Sequence, residues 1–435
     1  MTLQPPFLSE FDQEAQADSG VDALGLQAMY ERLADRILPA LTVRMSRPRF
    51  VTAMALGAVV CAGRDDDEVA KDGVSPPWMV FEWHVAESLV RCREKLRDDH
   101  RIPGMLKIDT ALRQKRPISA ASYLKTAAIF GFTGIYKRLA ITLGILTDDL
   151  ELDDSGYELV AAWERDKSMA GFQAGRDGEG AVLRDRLKAA VEKGMQVGRT
   201  APLPGPLYEQ IALLTEPLGA GRSEAQLLTA LLGRPKKEPE MAAELVDAVV
   251  KGGTLVPRID EPKFLRSTAR HASGALQLRL HAVDAFESLC GPIMDAFNGI
   301  RRLSTEQRRA PIGPPEFREH ARKAKLVERV QDGVARACAD RVLLEWEPGV
   351  RPLVDCFEPA KAPESLFRAV LDRHEKAQAD KPPHGKRPWI ERLPHDQVSV
   401  RAAYVFDGPD DPFDYVHDYR TTSLSMFLQD LRRLS

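Results

Sequence analysis

Apolar residues recur at helical spacing along most of the chain. Leu26, Met29, Leu33 and Ile37 would lie on one face of a helix, and Pro39 would end that helix. Short alternating runs of apolar and polar residues, such as 398–405, occur near the end and suggest a few strands. The pattern therefore predicts a fold that is mainly α with minor β. Further stretches at helical spacing predict helices over 50–61, 80–97, 271–298 (one helix, or two broken near Pro292) and 317–344.

The stretch 118–163 contains a distinctive order of predicted elements. It is helix, turn, helix, short hairpin and helix, which is the sequence pattern of a winged helix. The second helix of such a module is its usual recognition element. The sequence therefore predicts a winged-helix-like module. Its elements are expected near 118–130, 131–134, 135–143, 144–152 and 157–163.

The length of the chain predicts several domains. A chain of 435 residues is too long for one ordinary core. Residues 168–180 hold four glycines and little apolar mass, which is typical of a linker. The predicted divisions are a flexible N-terminus (1–20), a helical and winged-helix-like domain (21–167), the linker (168–180), helical domains (181–260 and 261–380) and an irregular tail with short strands (381–435).

The composition is that of a globular protein. Hydrophobic residues make up 44% and charged residues 29% of the chain, and the formal net charge is -3. Because there is no overall basic field, nucleic-acid binding would need local patches. The opening lacks a signal-peptide pattern, and the apolar run 51–61 is about half the length that spans a bilayer. The five cysteines form no CxxC pair. We expect a cytoplasmic protein without membrane contact, metal or cofactor.

Three clusters of cations are candidates for contact with nucleic acid. One is an arginine-rich loop over 42–49, where planar guanidinium groups suit bidentate phosphate contact. A second lies on or near the predicted recognition helix. The third lies in the tail, where cations are interleaved with Trp389 and Tyr404 as on a base-stacking surface. The candidate residues are Arg44, Arg47, Arg49, Lys125, Lys137, Arg138, Lys386 and Arg387.

Each cluster also has a structural interpretation. An arginine of the loop could pair with a carboxylate elsewhere, and the tail could be an ordered extension with Trp389 buried against a helix. The predicted hairpin carries five acidic residues, which would repel a DNA backbone, so contact with DNA and contact with a protein are about equally expected. Trp78 and Trp83, next to Pro76-Pro77, predict an anchor for the third helix, with an aromatic ligand box as the alternative.

No complete catalytic motif is present. Helical nucleases of the HEPN type place an Arg and a His on one helical face, and both Arg266…His271 and Arg368…His374 fit that spacing. With nine histidines and abundant arginine, about two such matches arise by chance. There is no phosphate-binding Gly-Lys-Ser/Thr loop and no metal-ligand spacing of histidines. A helical nuclease and a purely structural scaffold stay as alternatives to a binding protein.

Short segments near both ends of the chain carry a resemblance to other proteins: 24–26, 33–39, Thr42, 47–50, 373–375, 381–389 and 400–404. They resemble parts of a set of uncharacterised bacterial proteins associated with phage-defence gene neighbourhoods. This resemblance implies an accessory component of a defence system. The resulting hypothesis is a non-enzymatic accessory subunit of a bacterial anti-phage system. It would bind DNA or RNA, or a nuclease or helicase partner among other defence-system proteins, through the winged helix and the arginine-rich loop.

Overall fold

The computed structural model describes residues 22–64, 67–97, 102–124, 130–236, 239–252, 260–272, 274–408 and 411–431. Helices dominate these residues, and a two-stranded sheet supplies the minor β part, as the sequence predicts. The helices in chain order are α1 (Gln27–Ile37), α2 (Arg49–Cys61), α3 (Pro77–Arg91), α4 (Met105–Arg113), α5 (Phe132–Thr142), α6 (Asp154–Lys167), α7 (Glu179–Val197), α8 (Gly205–Thr215), α9 (Arg222–Leu232), α10 (Pro239–Gly252), α11 (Glu261–His271), α12 (Gly274–Glu306), α13 (Pro314–Lys323), α14 (Leu326–Ala339), α15 (Arg341–Trp346), α16 (Val350–Phe357), α17 (Pro363–Ala379) and α18 (Thr421–Asp430).

The chain forms two compact units, and neither is continuous in sequence. The cleft unit, named for a cleft described below, comprises residues 37–261 and 419–435. The long-helix unit comprises residues 1–36 and 262–418. Residues 168–180 connect α6 to α7 within the cleft unit, where Phe172 is fully buried and its ring lies 5.0 Å from that of Trp163. The domain boundaries given above stay predictions.

The core of the cleft unit is built around α2 and α3. Both helices are buried on nearly all sides, which explains why α2 is apolar throughout rather than amphipathic. The two helices approach closely because residue 57 is glycine. A Cβ atom at Gly57 would lie 2.8 Å from the ring of Phe81, too close for any other residue without a shift. The small residues of α2 therefore fix the spacing of the central helix pair.

Buried carboxylates cap two helices of this unit. The N-cap residue of α5 is Gly131, which has no side chain, and Glu82 of α3 accepts the N–H groups of Phe132 (3.1 Å) and Thr133 (2.9 Å) instead. Burial raises the pKa of the Glu82 carboxyl. Glu261 accepts the N–H of Thr421 (3.0 Å) at the start of α18 in the same way. Long-range carboxylates thus replace local capping side chains.

The winged-helix prediction is not confirmed. The described part of this stretch contains α5, α6 and, between them, a single antiparallel bridge that joins Leu146 to Leu152. Residues 119–123 are in turn or coil, and residues 125–129 of the first predicted helix lie outside the described residues. The order helix, short hairpin, helix is therefore present, but the module as a whole stays a prediction.

The long-helix unit is organised on α12, a helix of 33 residues that packs mainly on α14. The helix runs through Pro292 without ending, so the region forms one helix rather than two. The predicted helix over 317–344 is wrong as a single element, because α13, α14 and α15 occupy that region. Lys325 adopts a left-handed conformation (φ 50°) between the first two, and Asp340 caps the third through Leu343 N–H (2.8 Å). Neither break is marked by glycine or proline.

The tail contains the two-stranded sheet. Strands β1 (Ile390–Arg392) and β2 (Val398–Val400) are antiparallel, with Ile390 opposite Val400. Trp389 precedes β1, is 5% exposed, and stacks on Tyr404 with ring centroids 4.6 Å apart. The tail is therefore an ordered part of the long-helix unit at these residues.

Candidate partner-binding cleft

A cleft of about 520 Å³ opens on the cleft unit. Its floor is formed by the small and apolar face of α2, including Met54, Gly57 and Ala58, together with Phe81 of α3. The floor exists because α2 carries small residues where a larger side chain would fill the space. An apolar floor of this size is typical of a binding site for a small molecule or for side chains of a partner.

Two aromatic side chains border the floor and remain accessible. Trp78 stands in the first turn of α3, after Pro76 and Pro77, and is partly exposed. Tyr157 on α6 is 50% exposed. Tryptophan and tyrosine are the residues that most often carry binding energy at protein interfaces. Their partial exposure distinguishes them from Trp83 of the same region, which is fully buried.

The hairpin between α5 and α6 supplies an acidic edge. Thr147 N–H donates to the carbonyl of Glu151 (2.9 Å), and Leu150 adopts a left-handed conformation with φ 63°. This tight turn leaves Asp148, Asp149 and Glu151 exposed at the mouth of the cleft. Within the described part of the chain, none of these three carboxylates has a recorded ion-pair partner.

Positively charged side chains line other parts of the cleft. Lys137 of α5 is exposed and Lys188 of α7 is partly exposed, and neither has an ion pair recorded among the described residues. Arg64 and Arg184 also line the cleft but are engaged, because Arg64 pairs with two glutamates and Arg184 donates to the carbonyls of residues 171 and 172. The cleft therefore offers two free ammonium groups and three free carboxylates.

Two contacts within the unit hold α5, and with it Lys137, in place. One is the cap from Glu82 described above. The other is the hydroxyl of Tyr136, which accepts the N–H groups of Ser46 and Arg47, both at 2.9 Å. Because Tyr136 is fully buried, these bonds fix the arginine-rich loop against α5. The basic side of the cleft is thus built on a rigid element.

In the described part of the chain, the cleft contains neither an activated thiol nor a group of metal ligands. Its thiol, that of Cys61, has a pKa raised to about 12 by desolvation, so it is protonated at neutral pH and is a poor nucleophile. Among the residues that the structure describes, no three His, Cys, Asp or Glu side chains are grouped as metal ligands. None of the described helices is both long and apolar enough to cross a membrane.

The arginine-rich loop does not form one open cationic surface. Arg44 is exposed, with its guanidinium 5.3 Å from the centre of the Phe130 ring. Arg47 donates to Asp430 (2.7 Å). Arg49 is 2% exposed; it donates to Glu224 (2.7 Å) and to the carbonyl of Leu214 (3.0 Å). Two of the three arginines are therefore engaged in structural contacts of the cleft unit.

The other sequence-predicted residues fall in different places. Lys137 lines the cleft, and Arg138 is exposed beside it on α5. Lys125 lies outside the described residues. Lys386 and Arg387 are exposed on the long-helix unit, where Arg387 pairs with Glu391 (2.5 Å). Of the eight residues, Lys137 alone is recorded in the lining of the cleft within the described part of the chain.

The two Arg–His pairs considered for a nuclease are not alike. His374 is fully buried, with one ring nitrogen 2.8 Å from the carbonyl of Ala23 and the other accepting the N–H of Trp389 (2.8 Å). Burial lowers the pKa of His374 to about 4. His271 is exposed, but Arg266 of that pair donates to Asp284 (2.5 Å) and Asp414 (2.6 Å). Neither pair presents a free arginine and a free histidine together.

Sequence reasoning gave less weight to the residues that shape the cleft. The sequence favours Trp78 as an anchor for the third helix, with an aromatic ligand box as the alternative, and its hairpin carboxylates argue against contact with DNA. The available signal was the combination of an aromatic residue after Pro76-Pro77 with an acidic hairpin next to a basic helix. Comparisons with protein-family models, curated proteins and solved structures find no match to this chain.

Proposed function

We propose that this protein is a non-enzymatic accessory subunit that docks a segment of a partner protein in the cleft. The observation that carries the proposal is the arrangement of charge around the apolar floor. Free carboxylates stand on the hairpin, free ammonium groups stand on α5 and α7, and Trp78 and Tyr157 are accessible between them. A segment with apolar side chains flanked by basic and acidic residues complements this surface.

The energetics favour the aromatic residues as the source of affinity and the charges as the source of orientation. Truncation of a buried interface Trp or Tyr typically costs about 2 kcal/mol or more, whereas an exposed ion pair contributes roughly 0.2–1 kcal/mol. Charges of both signs still decide which way a segment lies, because the reversed orientation places like charges together. We therefore expect one orientation of the bound segment, with its basic residues at the hairpin.

The sequence resemblance implies an accessory component of a phage-defence system, and the partner that we propose is a nuclease or helicase of such a system. Nucleic-acid binding through the loop over 42–49 is less well supported, because Arg47 and Arg49 are engaged by carboxylates. A nuclease activity centred on His374 is also less well supported, because both ring nitrogens contact the backbone. A docking role requires none of these groups.

Site-specific crosslinking can test the proposal. A photoreactive amino acid is placed at position 157, in the cleft, and in a matched control at position 106, where Leu106 is 77% exposed on α4 outside the cleft lining. We expect the variant at position 157, but not the control, to crosslink one defined segment of one partner. A synthetic peptide of that segment should then bind the unmodified protein.

Charge reversal on the hairpin distinguishes specific docking from nonspecific binding. We expect Asp148→Lys with Asp149→Lys to weaken peptide binding about tenfold or more, because both side chains would then repel the basic end of the segment. Asp247→Lys, an exposed acid on α10 outside the cleft lining, should have little effect. Equal binding by both variants, or a cleft that takes up only a small molecule, would show that the proposal is wrong.

A further inference from the structure

A second cavity of about 400 Å³ lies on the cleft unit and shares no lining residue with the cleft. It forms where three helices end. The last turn of α3 contributes Glu87 and Arg91, the segment after α4 contributes Lys115 and Arg116, and the segment after α7 contributes Arg199. The cavity therefore brings together four cations and one carboxylate from parts of the chain that are distant in sequence.

Only one of these cations is neutralised by the carboxylate. Arg91 pairs with Glu87 (2.7 Å), which is 2% exposed, and its guanidinium lies 4.8 Å from the centre of the Tyr208 ring. Lys115, Arg116 and Arg199 are exposed, and no carboxylate partner is recorded for them within the described residues. Arg116 contacts the side-chain oxygen of the neutral Gln114. Among the residues that the structure describes, three positive charges therefore line the cavity without a carboxylate paired to them.

The backbone holds Lys115 in an unfavourable conformation. Its φ is 54°, in the left-handed region, at the position after α4 where glycine is usual. The N–H of Lys115 donates to the carbonyl of Leu112 (2.9 Å), and that of Arg116 donates to the carbonyl of Ala111 (2.9 Å), the pairing of a Schellman motif. A lysine is less favourable than glycine in this conformation, because its Cβ crowds the following carbonyl oxygen. Lys115, which adopts this strained conformation, is also one of the three cations without a carboxylate partner. Strained backbone conformations are frequent at functional sites.

Hydrogen bonds tie the two cationic segments together. The N–H of Thr200 donates to the carbonyl of Ile118 (2.7 Å), and the N–H of Ile118 donates to the hydroxyl of Thr200 (3.1 Å). Both residues are buried. Because Thr200 follows Arg199 by one position and Ile118 follows Lys115 by three, these bonds hold together the two backbone segments that carry the cations lining the cavity. The charges are therefore preorganised.

From this arrangement we propose that the cavity binds the terminal phosphate group of a small ligand or of a phosphorylated nucleic-acid end. Guanidinium groups donate two parallel hydrogen bonds to phosphate, and lysine adds a point charge. Because three cations line the site, it should favour a terminal, doubly charged phosphate over the singly charged internal phosphates of a polymer. This site is independent of the docking cleft, so either proposal can fail without the other.

A rival explanation is that these cations only offset the negative ends of three helices. Each helix C-terminus corresponds to about half a negative charge, so the three ends and Glu87 leave an excess of positive charge. The two explanations make opposite predictions for Lys115→Gly combined with Arg199→Gln. If the cations serve only the helices, the charge lost at two helix ends opposes the relief of strain at position 115, and the double variant binds phosphate no worse than a control variant. If they serve a ligand, it loses binding and gains or keeps stability, because glycine relieves the strain at position 115.

The experiment measures binding of pyrophosphate, and of a DNA oligonucleotide with or without a 5′-phosphate, to the full chain by calorimetry. The control variant is Lys107→Gln with Lys193→Gln, which removes one exposed cation each from α4 and α7 outside the cavity lining. We expect the double pocket variant to raise the Kd for pyrophosphate about tenfold or more. We expect the control to change it less than about twofold.

The outcomes also identify the source of the phosphate. Binding of the 5′-phosphorylated oligonucleotide in competition with pyrophosphate indicates a nucleic-acid end, and binding of pyrophosphate alone indicates a small ligand. The proposal is overturned if the wild-type protein binds no phosphate saturably, if the pocket and control variants lose affinity equally, or if the unphosphorylated oligonucleotide binds as well as the phosphorylated one. It is also overturned if the pocket variant only lowers Tm.

Discussion

Both units combine aromatic rings with cationic side chains, but they use the combination in opposite ways. In the long-helix unit the combination is closed: Trp389 is 5% exposed, and Arg301 lies 5.4 Å above its ring and donates to the carbonyl of Tyr404 (2.7 Å). In the cleft unit it is open, because Trp78 and Lys137 border a cleft. Cations near aromatic residues therefore indicate a binding surface only where both remain accessible.

The comparison predicts that replacing tryptophan by alanine lowers the free energy of unfolding much more in the closed cluster than at the cleft. Trp389→Ala should lower the free energy of unfolding by about 4 kcal/mol, because it leaves a cavity among Phe297, Tyr404 and the ring of His374. Trp78→Ala should cost about 1 kcal/mol or less, because the ring is partly exposed. Urea denaturation followed by circular dichroism measures both. A similar cost at the two positions would contradict the distinction between closed and open sites.

The arginine-rich loop offers the same comparison within one segment. Arg49→Ala should cost about 3–4 kcal/mol, because it leaves the fully buried Glu224 carboxylate without its ionic partner. The matched control is Arg44→Ala, an exposed arginine of the same loop, which should cost less than about 1 kcal/mol. Thermal and chemical denaturation would reveal the difference. If Arg49→Ala were as stable as the control, Arg49 would not be a structural residue.

Lowering the pH should reduce the stability of the fold through His374, whose ring packs beside Trp389. The folded chain holds this ring neutral with a pKa of about 4, whereas the unfolded ring titrates near 6.5. Unfolding therefore takes up a proton as the pH falls, so stability is full above pH 6.5 and decreases between about 6.5 and 4. The loss should be about 3 kcal/mol. Denaturant titrations across this range measure the free energy of unfolding at each pH. The control His271→Gln should keep the decrease with falling pH, and His374→Gln should lack it.

The first helices could be predicted from the sequence because the buried face of a helix requires apolar residues every three to four positions. The stripe over 26–37 became α1, and the apolar run over 50–61 became α2, each to within one residue. The breaks between α13, α14 and α15 could not be predicted, because Lys325 in a left-handed conformation carries no compositional mark. Such breaks depend on packing that only the folded unit provides.

The candidate sites were harder to predict than the helices because the deciding contacts are remote in sequence. The carboxylate that engages Arg49 is 175 positions away, and the one that engages Arg47 is 383 positions away. A cluster of arginines along the chain therefore does not reveal how many stay free. Conversely, Lys115 and Arg199 line one cavity, and the segments that carry them are joined by the hydrogen bond between Ile118 and Thr200. No local sequence pattern predicts the hydrogen bond between Ile118 and Thr200.

The discontinuity of the cleft unit has a consequence for how the protein is made. Glu261 caps α18, Phe427 stacks on Tyr136, and Asp430 pairs with Arg47, so residues 419–430 complete a unit whose other part ends at residue 261. The ribosome must synthesise all of the intervening chain first, which takes roughly 8 to 30 seconds. During that interval the nascent polypeptide exposes the apolar surface that α18 later covers, and chaperones have their opportunity to bind it.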